Sequence, residues 1–285
     1  MSFAETALLG ALAGFTIFLG LPVGRLQLLG SRARVALAML SVGVLVFLLV
    51  DVLAHGFEIT ESAVTAFKDG TAGFGHAAAM SLLLVGGFGL GSAGLGLLER
   101  RMRGAQPIPP LAGGAVDVLT AEDERRLTDH AAATRAHALR TGLIIAAAIG
   151  VHNFAEGLAI GVSANAGEIG LATVLIVGFA LHNSTEGFGI VGPLGDVRPS
   201  WRWIGLAGLI GGGPTFLGSM VGYNVSSEPL ELAFYAVAGG AIFYVIGEIT
   251  AAMRRAGHRQ LGLALLACGF AAGVLTDLVV VFGGG

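Results

Sequence analysis

Residues 151–157 read Val-His-Asn-Phe-Ala-Glu-Gly, and residues 181–187 read Leu-His-Asn-Ser-Thr-Glu-Gly. The pattern His-Asn-x-x-Glu-Gly therefore occurs twice, thirty residues apart, and each copy lies inside a strongly apolar stretch. In a helix, positions i and i+4 share one face, so each copy places an imidazole beside a carboxylate. Ionisable side chains in apolar, membrane-length segments are costly and usually mark a pathway or a binding site. Two such pairs on neighbouring helices supply four nitrogen and oxygen ligands, the set typical of a divalent transition-metal site.

The composition of the chain indicates a membrane protein. Of its 285 residues, 54% are hydrophobic and only 12% are charged, whereas about a quarter of the residues in a soluble domain are charged. The single cysteine, Cys268, excludes an internal disulfide and a cysteine-rich metal site. The charges form no basic patch, so we expect no nucleic-acid partner. The first five residues lack the basic region of a signal peptide, and we expect no cleavage there.

Hydropathy predicts an all-α polytopic membrane protein with eight transmembrane helices, because each span needs about twenty mostly apolar residues. The predicted spans cover residues 5–29, 34–55, 73–98, 138–164, 168–193, 201–223, 230–253 and 259–282. We expect breaks at Pro22 in the first span and at Gly211-Gly212-Gly213-Pro214 in the sixth.

The distribution of basic residues orients these spans. Fifteen of the sixteen Lys and Arg residues fall in the first, third, fifth and seventh links, and only Lys68 lies on the other side. By the positive-inside rule these links are cytoplasmic, so both termini face outward. The chain is expected to form a single transmembrane domain over residues 1–285, with a cytoplasmic loop over residues 99–137. Within that loop, Thr120 followed by acidic residues predicts a helix start that continues into the fourth span.

The two motifs are predicted to meet at one depth in the bilayer. His152 lies fifteen residues before Gly167, in the loop between spans four and five, and His182 lies fifteen residues after it. Because these spans are antiparallel, both histidines should lie roughly 22 Å from the loop, near the middle of the bilayer. Midplane sites on interrupted helices are typical of secondary transporters.

With its doubled motif, eight spans and outward termini, the chain resembles the ZIP (Zrt/Irt-like protein) family of divalent metal transporters. The resemblance implies that four side chains bind the metal and that two asparagines complete a second, adjacent metal position. Two departures stand out: Ala155 and Thr185 replace the proline common in the motif, and residues 201–223 contain no Asp or Glu. The implied metal residues are His152, Asn153, Glu156, His182, Asn183 and Glu186.

The resemblance also implies an inverted repeat that relates spans one to three to spans six to eight, around spans four and five. Asp51 lies about 17 residues into span two and Glu248 about 17 residues into span seven, and these spans run in opposite directions. We therefore expect an entry station at Asp51 and His55, which are i and i+4, and an exit station at Glu248. Met80, on the third span, is a further candidate ligand near the site.

The predicted function is divalent transition-metal transport, with zinc uptake into the cytoplasm as the leading expectation and Fe, Mn, Co and Cd as further substrates. The alternatives are an intramembrane metal-dependent hydrolase and a passive metal channel. A zinc protease would carry His-Glu-x-x-His, with the Glu as general base, and the order here is different, so we expect no enzyme and no cofactor. The expected location is the inner (plasma) membrane as a multi-pass protein. The expected partners are the metal ions and the lipid bilayer, and a homodimer is left open.

Overall fold

The computed structural model describes residues 1–26, 30–102, 121–167, 169–224 and 227–282, and every regular element within these ranges is a helix. Two short 3-10 turns, Leu21–Arg25 and Gly192–Leu194, and one π-helical segment, Leu90–Gly94, interrupt or extend the α-helices. The α-helices, in chain order, are α1 (Phe3–Phe15), α2 (Ile17–Gly20), α3 (Ser31–Lys68), α4 (Phe74–Gly89), α5 (Leu95–Met102), α6 (Ala121–Asn165), α7 (Ile169–Val191), α8 (Trp201–Asn224), α9 (Glu228–Ala256) and α10 (Arg259–Phe282).

Seven helical stretches in the described part of the chain are long and apolar enough to cross a membrane. They correspond to all the predicted spans except the fifth. The predicted fifth span coincides with α7, a helix of 23 residues, of which residues 169–177 have no described side chains. The described part of the chain is therefore all-helical and has several membrane-length helices, and the eighth span stays a prediction. The seven stretches are Phe3–Arg25, Ser31–Lys68, Phe74–Arg101, Arg125–Asn165, Trp201–Asn224, Glu228–Ala256 and Arg259–Val279.

Two of the helices extend well beyond the predicted spans. Helix α3 has 38 residues and continues thirteen residues past the predicted end at His55, a total length of about 57 Å at 1.5 Å per residue. Helix α6 has 45 residues and runs from Ala121 to Asn165, so the predicted continuation of this helix into the fourth span is confirmed. The predicted N-cap, Thr120, lies outside the described residues. The predicted cytoplasmic loop 99–137 is thus helical at both ends, while its residues 103–120 lie outside the described ranges.

The two expected breaks have different outcomes. The first α-helical stretch ends before Pro22, as predicted, and the chain continues there as a 3-10 turn. The break expected at Pro214 is wrong, because α8 runs without interruption through that proline. Neighbouring helices pack tightly against this part of α8: a Cβ at Gly150 of α6 would lie 3.2 Å from the proline ring. A Cβ at Gly14 of α1 would overlap the backbone of Gly212 in α8. This packing outweighs the helix-breaking tendency of proline.

Close glycine contacts divide the helices into two bundles. In the motif bundle (α1, α2, α6, α7 and α8), a Cβ at Gly20 or Gly157 would overlap the backbone of α7 or α8. In the flanking bundle (α3, α4, α5, α9 and α10), Gly43 contacts α10 in the same way. Between the bundles a Cβ at Gly192 would meet only the side chain of Ala38 within 3 Å. The hydrophobic core lies at this boundary, with Leu45, Leu48, Ile149, Ile190 and Ile249 among its members.

The connection between α7 and α8, residues 192–200, is held through its backbone. Arginines from three elements each donate a hydrogen bond to one of its carbonyl oxygens. Arg25, from the 3-10 turn that follows α2, and Arg135, from α6, lie on the side of the motif bundle. Arg34, from α3, belongs to the flanking bundle, so its bond joins the two bundles. The bonds are Arg25 Nη1 to Pro199 O at 2.6 Å, Arg135 Nη2 to Arg198 O at 2.9 Å and Arg34 Nη1 to Gly195 O at 2.9 Å.

Candidate metal centre

Helices α6 and α7 bring the two motifs together in the interior of the motif bundle. On each helix the histidine and the glutamate are four residues apart, so they share one face. None of the six motif side chains is more than 7% exposed: His152, Asn153, Glu156, His182, Asn183 and Glu186. The structure therefore buries and groups all six residues, although their role as metal ligands stays a prediction.

The amide of Asn153 connects the two motifs. Its Nδ2 lies 2.5 Å from Asn183 Oδ1 and 3.1 Å from Glu186 Oε2, both on α7. It also lies 3.0 Å from the carbonyl oxygen of Gly211 on α8. Gly211 lies three residues before Pro214 in α8. Asn153 therefore anchors the motif to α8 close to this proline as well as to the other motif.

The amide of Asn183 makes the corresponding contacts from α7. Its Nδ2 donates to the carbonyl oxygen of Ala13 on α1 at 3.3 Å and lies 3.5 Å from Glu156 Oε2 on α6. Each asparagine thus donates to a backbone carbonyl of a neighbouring helix and to the glutamate of the other motif.

Several buried polar atoms of the motifs have no hydrogen-bond partner among the described residues. Buried polar groups are nearly always paired, so each such atom requires an explanation. A bound cation would supply one, because imidazole nitrogen and carboxylate oxygen are transition-metal ligands. The atoms are both ring nitrogens of His152, both ring nitrogens of His182, Glu156 Oε1, Glu186 Oε1 and the amide oxygen of Asn153.

The spacing of these atoms partly matches a metal site. His152 Nε2 lies 3.2 Å from Glu156 Oε1, and two ligands on one tetrahedral zinc ion are separated by about 3.4 Å when each bond is 2.0–2.1 Å. The distance from His152 Nε2 to Glu186 Oε1 is longer, at 4.0 Å. Within the described residues, no group of three or more His, Cys, Asp or Glu side chains is already arranged around one point. To reach the spacing of two ligands on one zinc ion, His152 Nε2 and Glu186 Oε1 would have to approach each other by about 0.6 Å.

A cavity of about 380 Å³ reaches from the motif residues to one end of the bundle. His152, Glu156 and His182 line its inner part. Its outer part carries four further titratable side chains from α3, α9 and α10: Asp51, His55, Glu231 and Asp277. A cation entering from this end would therefore meet carboxylates and imidazoles all the way to the motifs.

Two of these outer residues were missed in the sequence. Asp277 lies in the apolar eighth predicted span, where an ionisable side chain already indicates a functional position. Glu231 lies at the start of the seventh, one turn before Tyr235, which also lines the cavity. An ionisable side chain within an apolar span, the signal that identified the two motifs, could also have identified Asp277. Glu231 lies too close to a predicted span end to be distinguished from a solvated residue.

The four predicted pathway residues have different surroundings. Asp51 and His55 line the cavity, with 3.8 Å between His55 Nδ1 and Asp51 Oδ1. Glu248 is half-buried on α9, seventeen residues after Glu231, and does not line the cavity. Met80 is not brought to the motifs, because it is buried in a separate apolar cluster with Ala63, Leu84, Leu232 and Ala236. A thioether among aliphatic side chains serves as packing there.

The fold indicates a multi-pass integral membrane protein whose interior holds two buried pairs of histidine and glutamate. Comparison with protein families gives the more specific answer. The model of the ZIP Zinc transporter family matches residues 114–272, more than half of the chain. The protein therefore belongs to the ZIP family of zinc transporters, whose members carry divalent metal ions across membranes rather than catalyse a reaction. A comparison with curated proteins found no match.

Proposed function

We propose that the protein is a zinc carrier of the plasma membrane that moves the ion into the cytoplasm through a midplane site formed by His152, Glu156, His182 and Glu186. The observation that carries this proposal is the set of buried, unpartnered nitrogen and oxygen atoms in the two motifs. Two imidazoles and two carboxylates suit Zn²⁺, which accepts four nitrogen and oxygen ligands. Fe²⁺, Mn²⁺, Co²⁺ and Cd²⁺ are secondary substrates of the same donor set.

The charge of the site supports transport of a divalent ion. Two neutral histidines and two carboxylates carry a charge of −2, which a divalent cation neutralises. An isolated charge in the membrane interior is expensive, whereas a neutral assembly is far less so. An occupied site can therefore cross the low-dielectric region at lower cost than an empty one.

The position of the cavity supports inward movement. It opens beside Asp51 and His55, which lie in the second half of α3, whereas Arg34, seventeen residues before Asp51, binds the α7–α8 connection near the first residue of α3. By the positive-inside rule the arginine-rich end is cytoplasmic. The cavity then opens to the outside, both termini lie outside, and α7 serves as an eighth span.

Glycine contacts support the proposed inverted repeat. A Cβ at Gly43 of α3 would overlap the carbonyl oxygen of Leu266, three residues before Gly269 of α10. In the same way, a Cβ at Gly269 would overlap the carbonyl oxygen of Leu40, three residues before Gly43. Gly240 of α9 and Gly91 of the π segment make the same reciprocal pair with the same offset of three. A two-fold axis in the membrane plane would exchange the first glycine pair with the second. The same axis would exchange α3 with α9, and α10 with the third span.

The same register extends to the acidic residues. Eight residues after Gly43 and Gly269 come Asp51 and Asp277, which line the outer cavity. Eight residues after Gly240 and Gly91 come Glu248 and Glu99. Glu99 is buried, at 5% exposure, and accepts a 2.7 Å hydrogen bond from the hydroxyl of Tyr244. We therefore assign the first pair to entry and add Glu99 to the proposed exit station at Glu248.

Transport then requires the motif bundle to move against the flanking bundle. Within each bundle several glycines bring helix backbones into direct contact, so each bundle moves as a unit. Across the boundary the close glycine contacts are made to the side chains of Ala38, Ser41 and Ile249, which repack more readily. The bonds from Arg34 to Gly195 O and to Asp196 Oδ1, at 2.9 and 2.7 Å, cross this boundary and hold the cytoplasmic end closed.

The test is metal uptake by the purified protein in liposomes, measured for a panel of divalent metals with and without a pH gradient. Saturable zinc uptake with a turnover far below channel flux supports a carrier. Flux that rises linearly with zinc concentration identifies a passive channel instead. Absence of uptake of every metal by folded protein refutes the proposal.

A further inference from the structure

The two motif asparagines form a crossed pair of contacts. Asn153 on α6 donates to Oε2 of Glu186 on α7, and Asn183 on α7 points its donor at Oε2 of Glu156 on α6. Neither asparagine has a recorded hydrogen bond to the glutamate of its own helix. In each carboxylate the contact engages one oxygen and leaves the other, Oε1, without a hydrogen-bond partner.

We propose that Asn153 and Asn183 are positioning residues that fix the two carboxylates across the helix pair, rather than ligands of a second metal ion. Each amide holds one carboxylate oxygen so that the other is presented to the ion beside the histidines. Groups that orient ligands in this way commonly change metal affinity by about 10- to 100-fold when they are removed. This inference rests on the proposed metal site.

The hydrogen-bond inventory supports this role for both amides. The amide oxygen of Asn183 already accepts a bond from Asn153 Nδ2 at 2.5 Å. The amide oxygen of Asn153 has no partner among the described residues, so it is the atom that the experiment must exclude as a ligand. Both amide nitrogens also bond to backbone carbonyls, Gly211 O and Ala13 O. These bonds fix the amides to α8 and α1, which flank the motif helices.

The first test is a set of double-mutant cycles on the thermal unfolding midpoint of the metal-free protein in detergent. Alanine replaces each asparagine and each glutamate, singly and in all four Asn–Glu combinations. A crossed brace predicts coupling between Asn153 and Glu186 and between Asn183 and Glu156, with smaller coupling in the two same-helix pairs. General loss of packing would not produce this crossed pattern, and same-helix coupling equal to or larger than the crossed coupling would overturn the proposal. Where the alanine variant of an asparagine does not fold, leucine, which shares the branching of asparagine at Cγ but cannot donate a hydrogen bond, replaces it in the cycle.

The second test is Zn²⁺ titration by calorimetry. Asn153→Ala and Asn183→Ala should each weaken Zn²⁺ binding by about 10- to 100-fold while the number of ions per chain stays the same. Asn153→Ala should have the larger effect, because its donor has three acceptors and that of Asn183 has two. Loss of one of two bound ions in either variant would make the asparagine a ligand and overturn the inference.

Thr185→Ala is the matched control. Its hydroxyl bonds only to the carbonyl oxygen of His182 on its own helix, at 2.7 Å, and the corresponding residue of the other motif is already Ala155. The control should bind Zn²⁺ with wild-type affinity. If wild-type protein binds no zinc but the crossed coupling is present, the proposed function fails and the brace stands. If zinc binds and the coupling is absent, the reverse holds.

Discussion

Glu186→Ala is the perturbation whose effect the structure defines most closely. The side chain is fully buried, and its Oε1 lies 4.0 Å from His152 Nε2. Its other oxygen accepts from Asn153, whose amide keeps two further acceptors, Asn183 Oδ1 and Gly211 O, after the change. The substitution therefore removes one proposed ligand without leaving the amide unpaired, and we expect the variant to fold.

The expected loss of zinc binding is large. Removing one partner from a buried, mutually compensating set of charges typically costs about 3–5 kcal/mol. At 1.4 kcal/mol for each factor of ten, that corresponds to a loss of affinity of roughly 10²- to 10³-fold or more. Uptake should fall below detection at zinc concentrations that saturate the wild type, because the empty carrier then predominates.

The assay pairs Zn²⁺ calorimetry in detergent with liposome uptake, and size-exclusion chromatography establishes that the variant is folded. Glu58→Ala is the control for loss of one negative charge, because Glu58 is exposed near the outer end of α3. Its binding and uptake should equal those of the wild type. Wild-type affinity and uptake in well-folded Glu186→Ala protein would refute the assignment of the site to the two motifs.

Three further predictions concern the pathway and the proton. Zn²⁺ binding should weaken as the pH is lowered from 8 to 5, because protons compete with the metal for the imidazole nitrogens and carboxylate oxygens; calorimetry in buffers of different ionisation enthalpy should show proton release, and a constant affinity from pH 5 to 8 would contradict it. Asp51→Ala should raise the KM for uptake more than it lowers the maximal rate, and Glu248→Ala should do the reverse; identical phenotypes would remove the two-station hypothesis. In an Ala38→Cys background, Arg34→Ala should increase labelling of the cysteine from the cytoplasmic side, because two hydrogen bonds to the α7–α8 connection are lost. Unchanged labelling would show that these bonds do not hold the cytoplasmic end closed.

Much of the fold and the grouping of the motif residues follows from the sequence. Apolar stretches of membrane length predict seven of the helices. The helical period predicts that His152 and Glu156 share a face, and equal distances from Gly167 predict that the two motifs meet. These predictions succeed because they depend on hydrophobicity and helix geometry, which act locally along the chain.

Other features depend on contacts between distant parts of the chain. The helix continues through Pro214 because α1 and α6 pack against α8, which no local pattern reveals. Met80 lies in a separate apolar cluster because the position of α4 against α9 decides what surrounds it. The crossed asparagine contacts require the relative rotation of α6 and α7, which two identical motifs do not specify.

The arginine contacts of the α7–α8 connection determine which changes this segment tolerates. The acceptors of Arg25 and Arg135, and one of the two acceptors of Arg34, are main-chain carbonyl oxygens. Because every residue type supplies a carbonyl, these bonds do not themselves select side chains, although Gly195 has a φ of +60°, which favours glycine, and Gly192 packs against Ala38. An inserted or deleted residue, by contrast, would displace up to three acceptors at once. The length of this connection is thus under constraint, and it is an unsuitable place for an epitope tag.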